Sequence, residues 1–141
     1  MPDKLMLEVA APDRLVIREE VDEVQIPAHD GSLGVLPGHA PLLTELGCGV
    51  MTFRQGDQRR YLAICDGFLE ILPDHVRVLT NRAEWADEVD VERARVELRR
   101  AMDVLAGHDL EVELEQAQAE IALAQAKLQA HDLASGFGPR P

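Results

Sequence analysis

The chain has 141 residues, 46% of them apolar, and a formal net charge of −12. That size suits one domain with a small appendage, and the apolar fraction can supply its core. Acidity is general, with 8 basic and 14 acidic side chains in residues 1–86 against 6 and 12 in residues 87–141, which excludes nucleic acid and anionic membrane as partners because both need a basic face.

The start, Met1-Pro2-Asp3-Lys4-Leu5-Met6-Leu7, lacks the apolar region and cleavage site of a signal peptide, and no stretch approaches a membrane span. The expectation is a soluble, cytoplasmic protein that meets membranes only through a partner. From Lys4 to about Asn81 short apolar runs alternate at period two. Leu5, Leu7 and Val9 alternate with Met6 and Glu8, Leu15 and Ile17 with Val16 and Arg18, and Val24 and Ile26 with Glu23 and Gln25.

Next comes Gly31-Ser32-Leu33-Gly34-Val35-Leu36-Pro37-Gly38-His39-Ala40-Pro41-Leu42-Leu43. Its glycines permit positive φ and its prolines withhold N–H donors, so a shaped, partly apolar loop is expected over the whole segment. Further strands are expected at Gly49–Arg54, Arg59–Cys65, Phe68–Leu72 and Val76–Thr80, with turns at Gln55-Gly56-Asp57, Asp66-Gly67 and Pro73-Asp74. Many short strands without intervening helices predict an antiparallel sandwich or flattened barrel. Cys48 and Cys65 suit a reduced compartment and read as two small core residues.

After Ala86 the period changes. Asp87 is the expected N-cap of a helix running to about Ala106, with Val91, Ala94, Leu98, Ala101, Met102 and Leu105 on one face. Gly107-His108-Asp109 breaks it. A second helix follows with Leu110, Leu114, Ala117, Ile121, Ala124 and Leu128 at alternating steps of four and three. The short connection predicts an antiparallel hairpin, whose narrow, alanine-rich seam should be only modestly stable and able to open. The fold class is therefore α+β, with a β-domain over residues 1–86, a hairpin over 87–134 and a frayed tail over 135–141.

Catalysis and metal binding find no support. His39 stands in no nucleophile motif and reads as a loop residue bonded to nearby backbone. The five histidines and two cysteines show neither H-x-x-x-H nor C-x-x-C spacing. Gly31-x-x-Gly34 lacks the lysine and following helix of a phosphate loop.

Three motifs in order resemble one family: the Gly31–Leu43 segment, Tyr61-Leu62-Ala63-Ile64-Cys65-Asp66-Gly67-Phe68-Leu69-Glu70-Ile71, and Ala83-Glu84-Trp85-Ala86-Asp87-Glu88-Val89-Asp90. Together they resemble the epsilon subunit of the bacterial F-type ATP synthase, over roughly residues 4–134. The resemblance implies a β-sandwich of about ten strands and a non-catalytic rotor subunit at the cytoplasmic face of the bacterial inner membrane. It would join the gamma shaft to the membrane rotor ring (c-ring), and its helices, when extended, would reach the catalytic alpha/beta head and regulate ATP hydrolysis. Rotor contact would fall to Gly31, Ser32, Gly34, Pro37, Gly38 and His39, with Ser32 standing where other members often carry an acidic residue.

Some members bind ATP through Ile/Leu-Asp-x-x-Arg-Ala, which Val89-Asp90-Val91-Glu92-Arg93-Ala94 resembles. Asp90, Arg93 and Arg100 would then meet ribose or phosphates. Read without the family, Asp90 is a first-turn helix stabiliser and Arg93 a surface ion-pair partner. The second helix offers Lys127 as its only cation among several glutamates, so weak or absent ATP binding is expected. Six acidic residues against one lysine between Asp109 and Ala134 likewise predict weak inhibition of hydrolysis. Two competing readings are a free-standing ATP-sensing protein and a generic β-sandwich adaptor with a coiled-coil tail.

Overall fold

The computed structural model describes residues 3–107 and 111–136, without the side chains of 111 and 112. The expected break at 108–109 and most of the expected tail lie outside the described residues. Eight strands precede two helices: β1 (Leu5–Ala11), β2 (Arg14–Val21), β3 (Glu23–Ala28), β4 (Gly31–Val35), β5 (Leu42–Leu46), β6 (Gly49–Gln55), β7 (Gln58–Ile71), β8 (His75–Trp85), α1 (Val91–Gly107) and α2 (Glu111–Ala134).

The sheet order is β2-β1-β8-β7-β5-β3-β4, and β6 pairs with both β3 and β7. The ring β7–β5–β3–β6 therefore closes on itself, and β1, β2 and β8 extend one side of it. Every pairing is antiparallel except that of β1 with β8. Leu5, Leu7, Val9, Val24, Ile26, Met51, Phe53, Leu62, Ile64, Leu69, Ile71 and Val76 are buried inside this sandwich. Each such side chain contributes about 1.5–3 kcal/mol by leaving water.

The period-two reading is met in β1 and β3, whereas β2 departs from it. Ile17 is buried but Leu15 is 59% exposed, because the β1–β2 register slips between Val9 and Ala10. A one-residue slip sends later side chains to the opposite face. The expected turn at Asp66-Gly67 is instead an irregularity inside the continuous 14-residue β7. Asp66 has φ 61° and Gly67 φ 143°, and a Cβ on Gly67 would lie 1.8 Å from the Leu79 carbonyl oxygen. The irregular residues keep β7 paired along β8 while its other edge passes from β6 to β5.

The cysteines also depart from expectation: Cys48 and Cys65 form a disulfide. Seventeen positions apart in sequence, they become neighbours because β6 pairs Gly49 with Ile64 and Val50 with Ala63. One step further along the same register sets Cys48 opposite Cys65.

Asp87 lies in a short 3-10 turn, Ala86–Glu88, and the residue that caps α1 is Asp90. Its carboxylate accepts from the Arg93 backbone N–H at 3.1 Å, and its carbonyl accepts from Ala94. The apolar face expected on α1 is only partly used. Ala94 and Ala101 are buried, but Met102 is 46% and Leu105 36% exposed. Alanines dominate the helical contacts: Ala126 and Ala130 of α2 pack with Ala63, Val50, Tyr61 and Ala86 on the outer face of the sheet. Lys127 adds charge to this seat, reaching Glu84 of β8 at 3.4 Å and Glu97 of α1 at 3.7 Å.

Candidate interaction surfaces

The segment expected to be one loop is divided. Gly31 to Val35 form β4, which pairs with β3 at one end of the sheet order, and only Leu36 to Pro41 lie outside strands. Alternation of the small residues Gly31, Ser32 and Gly34 with Leu33 and Val35 is compatible with an edge strand, and the glycine content masked it. Gly31, Ser32 and Gly34 are exposed, whereas Val35 is buried.

Val35 and Leu36 separate these from the second group. There Gly38, with φ 88°, donates its N–H to the Pro73 carbonyl at 2.7 Å, and the His39 N–H donates to Leu36. The left-handed φ at Gly38 closes this turn without a Cβ penalty. The His39 Nδ1 donates to the Ala40 carbonyl at 2.6 Å, so the ring is a loop residue held by backbone. Pro37, Gly38 and His39 are half-buried against the Pro73 turn, with Leu36 beside them 57% exposed.

A second surface comes from register. Phe68 of β7 stands opposite Leu79 of β8, Leu79 opposite Ala10 of β1, and Ala10 opposite Leu15 of β2. Phe68, Leu79 and Leu15 are 56%, 61% and 59% exposed. They make an apolar row across four strands on the face away from the core. The next row, two residues along, is a ladder of ion pairs: Glu70–Arg77 at 3.7 Å, Arg77–Glu8 at 3.6 Å and Arg18–Glu8 at 3.9 Å. Leu43, 71% exposed, stands opposite Glu70. An apolar row beside a charged one has the make-up of a candidate protein-binding surface. Sequence reasoning missed it because the row is assembled from four strands whose register the sequence does not give.

The three residues expected to meet a nucleotide do not converge. Asp90 is occupied as the cap of α1. Arg93 pairs along its own helix with Glu97 at 3.0 Å. Arg100 alone of the three lines the 320 Å³ cleft between the hairpin and the sheet, together with Arg82, Glu97, Glu120 and Leu123. Its two arginines face two carboxylates. Among the described residues no group of three metal-binding side chains is found, and no helix is long and apolar enough to cross a membrane.

Residues 4–86 match the family model for the β-sandwich domain of the ATP synthase delta/epsilon chain. The ATP synthase epsilon chain of Solibacter usitatus is 55% identical over 101 residues, covering 72% of this chain and 75% of that one. That of Carboxydothermus hydrogenoformans is 44% identical over 106 residues, covering 75% and 79%. Among solved structures, a chain of the Euglena gracilis mitochondrial ATP synthase superposes with a TM-score of 0.81 at 22% identity, covering 96% of this chain and 83% of its own length. A sandwich closed around its own core, followed by a hairpin docked on its outer face, is thus shared with known chains, and the protein belongs to the ATP synthase epsilon chain family.

Proposed function

We propose that this chain is the non-catalytic central-stalk subunit that joins the gamma shaft to the c-ring of a bacterial ATP synthase, on the cytoplasmic face of the inner membrane. The exposed row Leu15–Leu79–Phe68 carries this reading. It offers the sandwich a flat apolar contact for gamma, and the adjoining ion-pair ladder offers polar register. The exposed edge of β4 at Gly31, Ser32 and Gly34 and the turn at Pro37, Gly38 and His39 supply rotor contact at two separated places. A closed sandwich with a close-packed core is stiff enough to transmit torque between such partners. Membrane association then comes only through the complex. Membership of the family favours this over the free-standing ATP sensor and over the generic adaptor.

The test is co-purification with gamma. Phe68→Glu with Leu79→Glu places charge in the row without touching the core, so gamma binding should be lost while the fold persists. Retained binding would refute the assignment of this face. For the hairpin, the acidity of α2 favours weak regulation: the family resemblance implies docking near an acidic segment of the catalytic subunits, and bringing like charges together costs about 1 kcal/mol per close solvated pair. Its extended form would approach the alpha/beta head with that surface foremost. ATPase rates of the assembly should therefore change little on removal of the hairpin, and a several-fold rise would refute this. The mixed lining around Arg100 predicts weak or absent ATP binding, with Asp90 and Arg93 committed elsewhere. Micromolar ATP binding by the isolated chain would overturn that.

A further inference from the structure

We propose that Cys48–Cys65 is a thiol-exchange site that sets how firmly the hairpin is held on the sandwich. The bond is placed by strand alternation. Leu62 and Ile64 of β7 face the core, and Ala63 between them faces the other way, onto Ala126 and Ala130 of α2. Cys65, two residues beyond Ala63, shares that face. Val50, opposite Ala63, packs into the same contact, and Cys48 precedes it by two. The disulfide is therefore the next cross-strand pair on the face that seats α2.

Its neighbours leave little slack. Cys48 follows Gly47, where an added Cβ would sit 2.6 Å from the Ala28 carbonyl oxygen. Cys65 precedes the irregular Asp66-Gly67, and its carbonyl accepts from the buried Thr80 hydroxyl at 2.9 Å. The bond ties the β5–β6 corner to β7 where β7 changes partner from β6 to β5.

Access is one-sided. Cys65 is 3% exposed, while Cys48 is half-buried. A thiolate of an external dithiol attacks the Cys48 sulfur, forming a mixed disulfide and expelling the Cys65 thiolate, which takes a proton. The second external thiol then attacks the mixed disulfide, releasing Cys48 as a thiol. Two electrons and two protons pass to the protein, and the dithiol leaves as a disulfide. In a reducing cytoplasm, cross-links of this kind are transient and redox-sensing rather than permanent. That last step rests on the location proposed above, while the exchange itself does not.

Reduction loosens the seat of α2. Two thiols need more room than two bonded sulfurs, and the β5–β6 corner loses its tie to β7. The helix above is held by methyl groups, whose attraction falls off within a small gap.

The experiment uses the isolated full chain, so its outcome is independent of gamma binding. Protein purified without reductant is compared with the same protein treated with dithiothreitol, following hydrogen exchange peptide by peptide. Several-fold faster exchange is expected in α2 on reduction, with β1 and β2 unchanged. The Cys48→Ser, Cys65→Ser variant should match the reduced protein and ignore dithiothreitol. Equal exchange across α2 in both states would overturn the proposal. So would two titratable thiols persisting after equilibration with oxidised dithiothreitol.

Discussion

Replacing Lys127 by methionine should release the hairpin without touching its packing. The lysine is the only cation of α2 and reaches two glutamates on two other elements, Glu84 at 3.4 Å and Glu97 at 3.7 Å. Its side chain is 20% exposed, and those of the glutamates are 32% and 36% exposed. Solvent therefore screens both pairs in part. Exposed pairs contribute about 0.2–1 kcal/mol each, and these partly covered ones sit at the upper end. Glu97 keeps Arg93 as a partner, so most of the loss falls on Glu84. The pair to Glu97 joins the two helices of the hairpin, so the pair to Glu84 sets the seating, and its loss of about 1 kcal/mol corresponds to a roughly 5-fold change in the ratio of seated to released hairpin.

Methionine retains most of the apolar stem, which confines the change to charge. Hydrogen exchange over Ala117 to Ala134 is the direct assay, because opening free energy sets exchange in a lightly held element. The variant should exchange faster by that factor at low salt, and the gap should narrow as salt rises. A change below about two-fold, or one indifferent to salt, would refute the clasp and leave the alanine contacts as the sole anchor.

The other expectations are more local. Gly67→Ala should destabilise the sandwich by more than about 3 kcal/mol in urea unfolding, since both its φ and its approach to the Leu79 carbonyl forbid a Cβ; a loss under about 1 kcal/mol would show that β7 can shift there. Asp90→Ala should cost α1 about 1 kcal/mol through loss of its cap, read as faster exchange in its first turn, and no change would return the cap to Asp87. Asp22 is held below the ordinary carboxylate value of 3.8, first by its hydrogen bond from Lys4, then by the Gly56 N–H and the charges of Lys4 and Arg54. A depressed carboxylate stabilises the fold above its unfolded value and loses that contribution as pH falls through its folded value. Wild type should therefore exceed Asp22→Asn in stability above about pH 4 and converge with it below; a gap that persists at pH 2 would refute this.

Sequence legibility followed the range of the interactions. β1 and β3 were readable because each buries one face against the core, and period two reports that directly. What failed depended on register. Leu15 carries the same local signal as Ile17, and only the slip at Val9 and Ala10 exposes it. Gly31 to Gly34 read as loop because glycine signals freedom, yet at the end of the sheet order those residues form an edge strand. Asp66-Gly67 read as a turn for the same reason, where close approach of β8 instead requires the glycine. The disulfide was hidden by seventeen residues of separation, and the apolar row by the four strands needed to assemble it. Local capping chemistry was nearly legible, misplaced by three residues from Asp87 to Asp90.

The two parts of the molecule are held by different forces, and that difference bears on regulation. The sandwich closes a ring of strands around large aliphatic side chains, so its opening is all or none. The hairpin rests on methyl groups and on Lys127. In the adjoining cleft Arg82 and Arg100 face Glu97 and Glu120, so the arginines already have anionic neighbours. An added polyanion would have to displace those carboxylates or lie against them, whereas an all-cationic cleft would gain from it without that cost. On the readings proposed above, seating of the hairpin is an internal property, set by alanine contacts, one lysine and the state of the cysteine pair on the face that seats α2. With the weak ATP binding proposed above, ligand concentration would have little leverage on such a balance, because a ligand shifts an equilibrium only by its differential affinity for the two states.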